Sequence, residues 1–166
     1  MLDVFHTLAE VSVAVTGFSS LIIIFRGSSV PWEPLDYIHF GFVLAWTIGC
    51  IFLSLLPILF VEFGVGVETA ARVGLIAAVG YVIAVGAVLT RAQNRAAATA
   101  EEMPPAVPRI VMTVFVMIFL VVSILAATGL LGGALRAWYA LAIVALLAIA
   151  TADLGIFVVQ STRKQD

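Results

Sequence analysis

Residues 37–61 read YIHFGFVLAWTIGCIFLSLLPILFV, an apolar run without a single Asp, Glu, Lys or Arg. About 20 such residues are enough to cross the roughly 30 Å hydrocarbon layer of a bilayer. In that layer a single isolated segment satisfies its own backbone N–H and C=O groups only as a helix. The run therefore predicts a transmembrane helix, which Pro57 should kink. On either side of it, runs of comparable character lie at about 4–25, 70–90, 109–131 and 137–160. The expectation is an all-α, polytopic integral membrane protein, a bundle of about five transmembrane helices forming a single domain over residues 1–166.

Composition points the same way. The chain is 63% hydrophobic and 11% charged, against roughly 45–50% and 25% in soluble domains. That leaves no room for a second, water-soluble domain. Eight Lys and Arg residues scattered through a chain of net charge −2 exclude a nucleic-acid partner, which requires clustered cations. Cys50 stands alone, so neither an internal disulfide nor a CxxC redox pair is available, and it reads as a small packing residue. The opening Met1-Leu2-Asp3 lacks the basic region of a cleavable signal, so the first run reads as a retained span.

The connectors carry turn and interface residues. Pro31, Trp32 and Pro34 follow helix one and suit a tight interfacial turn. Gly64 and Gly66 reverse the chain after helix two, with Thr69 as a cap for helix three. The long polar segment from Thr90 has enough helix propensity to carry helix three past the bilayer before Pro104-Pro105 stops it. Gly132-Gly133 precede Arg136, Trp138 and Tyr139, which read as interfacial anchors. Arg26, Arg91, Arg95, Arg109, Arg163 and Lys164 fall on one side of such a bundle, and Arg72 and Arg136 on the other. Basic loops stay cytoplasmic, so six against two places the N-terminus outside and the C-terminus in the cytoplasm. A cell membrane of the bacterial inner-membrane kind is the expected location.

Ionisable groups within apolar spans are costly enough to be functional candidates. Here they are Glu10, His39 and Asp153, with His6 close by. At about 100° per residue from Glu10, the residues Ser19, Ser12, Thr16, Ser20, His6 and Gly17 fall between about 180° and 340°. This half of helix one reads either as the lining of a hydrated path, with Glu10 an outer cation site, or as a face for close helix packing. Asp153 has no basic residue within reach on its own helix, and His39 is its best-placed titratable neighbour by depth. The pair at one membrane face and His6 with Glu10 at the other cannot form one site. Small residues mark packing faces: Ala70, Gly74 and Ala78 on helix three, and Ala145, Ala148, Ala152 and Gly155 on helix five.

No metal-ligand spacing, GxSxG, HExxH or P-loop pattern occurs, so the sequence predicts no enzyme, no metal site and no cofactor. Five spans in a chain of this length, with Pro31-Trp32-Glu33-Pro34 ahead of the second, resemble the tryptophan-rich sensory protein (translocator protein) family in outline. Three tryptophans in all and later helices poor in aromatics depart from that pattern, and no residue role is carried over. The leading expectation is a small homo-oligomeric channel or transport-like protein passing an ion or proton, with Glu10, His6, Thr16, Gly17, Ser20, Asp153 and His39 along its path. An accessory or scaffold subunit of a larger membrane complex and a binder of an apolar ligand or pigment between helices are the alternatives.

Overall fold

The computed structural model describes residues 3–27, 34–97 and 106–163. Among them are five α-helices: α1 (Asp3–Gly27), α2 (Pro34–Glu62), α3 (Val67–Ala97), α4 (Ala106–Ala127) and α5 (Leu135–Arg163). The expected interfacial turn at 28–33 and the proline stop at 104–105 lie outside the described residues. By length and composition, Asp3–Ile22, Asp36–Glu62, Val67–Arg95 and Leu135–Ile156 can each cross a membrane, and α4 contributes a shorter apolar stretch, Met112–Ala127. The chain is an all-α membrane protein. Phe18, Phe52, Ile76, Val88, Phe115 and Val144 are all exposed on the bundle surface, as a lipid environment requires.

Backbone chemistry sets the helix ends. Both α2 and α4 stop where a glycine takes positive φ, Gly64 at 82° and Gly129 at 80°. There the Val65 N–H donates to Phe60 O at 3.0 Å and the Leu130 N–H to Leu125 O at 3.1 Å, the six-to-one bond that satisfies an otherwise orphaned terminal carbonyl. This is why α4 ends at Ala127, several residues before its apolar run does. Helix α3 begins at Val67 rather than at a Thr69 cap: Gly66 O already accepts from the Ala70 N–H at 2.9 Å. It then continues to Ala97, well past the apolar run. In the α4–α5 turn, Gly132 and Gly133 both have positive φ, and Trp138 Nε1 donates to Gly132 O at 2.8 Å.

Helices α2, α3 and α5 pack on one another, α1 lies against α2 and α5, and α4 against α3 and α5. Helix α5 alone touches the other four. One end of the bundle gathers the starts of α1, α3 and α5 with the end of α2, and it is filled solidly: Phe5, Cys50, Leu53, Leu75, Tyr139 and Ile143 belong to a single core cluster. Two tyrosines lock it. The Tyr81 ring lies on Gly49 and donates to Ala45 O, joining α3 to α2. The Tyr139 ring lies on Gly74 of α3, meets Phe5 of α1 with centroids 5.6 Å apart, and donates to Leu53 O of α2. Tyr139 is therefore fully buried, not the interfacial anchor its position beside Trp138 suggests. At the rim of this end Glu68 of α3 accepts from the Leu135 N–H at 3.0 Å, satisfying one orphan donor at the positive start of α5.

Candidate functional site

The opposite end of the bundle is not filled. Helix α4 rests on α3 and α5 but does not reach α2, and small residues on α3, Gly86 and Ala87, add no bulk to the space between. The result is a cavity of about 330 Å³ lined by residues of α2, α3, α4 and α5. Trp46 and Val82, 3% and 1% exposed, close it toward the packed core. Its walls are mainly apolar, including Phe42, Val116 and Leu120.

The polar groups of this cavity come from four helices. His39 lies near the start of α2, Thr90 and Gln93 near the end of α3, Thr113 in the early part of α4 and Asp153 in the last third of α5. Thr90 and Gln93 share a face because residues three apart on a helix do, while the exposed Arg91 and Arg95 alternate with them. Asp153 is 8% exposed. Two residues earlier, the Thr151 hydroxyl donates to Leu147 O and Ala148 O of its own helix, 3.0 Å each, so it is not available to Asp153.

A second, almost wholly apolar groove of about 440 Å³ runs between α4 and α5. Phe115, Phe119 and Val122 face Ala142, Ala145 and Ala148 across it. Met112, Ile149 and Ile156 line both spaces and so form the partition between them.

The sequence-derived candidates separate into groups. His39 and Asp153 line one cavity. His6, Glu10 and Gly17 are exposed on α1, at the filled end or on the outer face, apart from that cavity. Ser12 and Ser19 are fully buried, with Thr16 and Ser20 half-buried. Each of these four hydroxyls donates to the carbonyl four residues back in α1, at 2.7–2.9 Å. The polar half of helix one thus turns its hydroxyl donors onto its own backbone. Ala70, Gly74 and Ala78 are buried beneath α2 and α5 neighbours. Ala145, Ala148 and Ala152 line the α4–α5 groove, and Gly155 is exposed. Sequence reasoning missed Trp46, Thr90, Gln93 and Thr113, which line the same cavity as Asp153. The three-residue spacing of Thr90 and Gln93 near the end of α3 was the available signal.

Among the described residues no group of three His, Cys, Asp or Glu side chains is placed to hold a metal ion. Comparison with protein-family profiles, curated proteins and solved structures finds no match to this chain.

Proposed function

We propose that this chain is a membrane-embedded binding protein for a small amphipathic molecule, whose apolar body lies between α2 and α4 and whose cationic head is held by Asp153. The observation that carries this reading is Asp153, 8% exposed, on the wall of an unfilled, mainly apolar cavity. A carboxyl group in such surroundings is costly unless it is hydrogen-bonded or paired. An ammonium group entering the cavity supplies both a charge and donors, and the apolar walls take the rest of the molecule. The volume sits at the lower end of the roughly 300–1,000 Å³ usual for small-molecule sites, so the ligand is small. His39, Thr90 and Gln93 add polar contacts that orient the head. With the bias of basic residues toward this end of the bundle, the site belongs to the cytoplasmic half of the membrane.

A proton- or ion-passing role with Asp153 and His39 as stations draws on the same cavity, but it needs a route past the buried Trp46 and Val82. Binding needs no such route. The test is equilibrium dialysis of dodecylammonium and dodecyl sulfate against the full chain in lipid nanodiscs, with empty nanodiscs as reference. Saturable uptake of the amine alone is expected. Uptake no greater than in empty nanodiscs, or equal uptake of both amphiphiles, contradicts the proposal.

A further inference from the structure

The cavity that holds Asp153 has a defined depth. Tyr139 of α5 reaches both Leu53 O of α2 and Gly74 of α3, so these three helices share a level there. From that level His39 and Asp153 each lie about 21 Å along their helices, and Thr90 about 24 Å, at about 1.5 Å per residue. By the same rise Trp46 and Val82 stand at only about 10–12 Å. All five line the cavity. Its polar groups therefore gather near one level, and its closed end lies about 10 Å beneath them.

That closed end is firmly held. Trp46 and Val82 are buried, and Trp46 meets Tyr81 edge to face with ring centroids 6.4 Å apart. Tyr81 is in turn fixed to α2 by its ring on Gly49 and its donation to Ala45 O. Moving Trp46 aside would disturb a close-packed joint between α2 and α3. Above the tryptophan the walls are open. Gly86 lines the cavity about 18 Å from the shared level, and a methyl group built on it meets nothing within 4 Å.

Resting on the proposed amine site at Asp153, we infer that Trp46 is the floor that sets the length of the ligand's tail. An extended chain advances roughly 1.2 Å per bond, so a head at Asp153 leaves room beneath it for an unbranched tail of about eight carbons. Within that length the tail exchanges bilayer for cavity wall at little cost, because both are apolar. A longer tail meets Trp46 and has to fold back on itself, and forcing extra methylenes into a packed space is unfavourable. The ligand class is a medium-chain alkylammonium rather than a long-chain lipid amine.

Binding of butyl-, octyl- and dodecylammonium to the full chain in lipid nanodiscs, each referred to its own concentration in the bilayer, tests the floor. Wild-type protein should bind octylammonium at least about five-fold more tightly than dodecylammonium, which still binds. Trp46→Leu lowers the floor and should bring that ratio close to one. Gly86→Leu needs no rearrangement to fold, since leucine is the better helix former. Its side chain leans back along α3 toward the floor and should cost octylammonium at least about five-fold more affinity than butylammonium. Equal affinity of the wild type for octyl- and dodecylammonium, or a preference that neither substitution moves, overturns the floor and leaves the amine site standing. Failure of the wild type to bind any of the three amines removes the site itself, and this inference with it.

Discussion

Tyr139 of α5 donates its hydroxyl to the carbonyl of Leu53 on α2, and this is the carbonyl that Pro57, four residues on and lacking an N–H, leaves without a helical donor. Pro57 is itself fully buried, so no water is at hand to repair the gap. A proline that would otherwise weaken α2 is thereby converted into an anchoring point for α5.

The relationship predicts non-additive mutations. Tyr139→Phe keeps the ring on Gly74 and Phe5 but strands the Leu53 carbonyl, at a cost of about 1–3 kcal/mol. Pro57→Ala restores a helical N–H to that carbonyl, so in the Tyr139→Phe background it should recover much of the loss. Reversible unfolding in mixed detergent micelles measures the double-mutant cycle. Additive effects of the two changes contradict the pairing.

Glycines under the tyrosine rings should respond differently from free ones. Gly49→Ala and Gly74→Ala drive a methyl group into the rings of Tyr81 and Tyr139 and should destabilise the fold by about 1–3 kcal/mol. Gly80→Ala meets nothing within 4 Å and should be neutral or stabilising by up to about 1 kcal/mol, since alanine is the better helix former. Thermal unfolding of the three variants side by side checks the contrast in sign.

Glu68 gives a test at the rim. Its carboxylate accepts from the Leu135 N–H and lies 4.0 Å from Arg136 in a half-exposed pair. Because exposed ion pairs contribute little, the cap carries most of the effect. Glu68→Ala should cost about 0.5–2 kcal/mol and Glu68→Gln, which retains an acceptor oxygen, clearly less. Equal losses would mean that charge rather than the hydrogen bond matters.

One buried hydroxyl has no such role. Ser54 Oγ is the buried side-chain polar atom left without a hydrogen-bond partner among the described residues. Ser54→Ala removes only that unpaired group, so unfolding of the variant should be unchanged or slightly harder.

The helices were legible in the sequence because hydrocarbon admits few other solutions: long charge-free runs such as 37–61 can only be helices there. Ends were less so. The run at 109–131 continues past Ala127, and only the positive φ of Gly129 stops α4 where it does. The shared membrane depth of His39 and Asp153 could be counted from their helices, whereas the cavity between them depends on α4 failing to touch α2, a packing outcome with no local signature. Pro57 did announce a freed carbonyl at Leu53. Its donor, Tyr139, is 86 residues away in sequence and sits beside Trp138, where an aromatic also fits an interfacial role. Burial decided between the two readings.

Asp153 is the residue on which the binding proposal turns. The decisive measurement is the affinity of the Asp153→Asn variant for dodecylammonium in nanodiscs, taken alongside its unfolding to establish that the bundle is intact. Asparagine keeps the shape and loses the charge, so the affinity should fall at least about ten-fold with stability unchanged or increased. A folded Asp153→Asn protein that binds the amine as tightly as the wild type would contradict the proposed site.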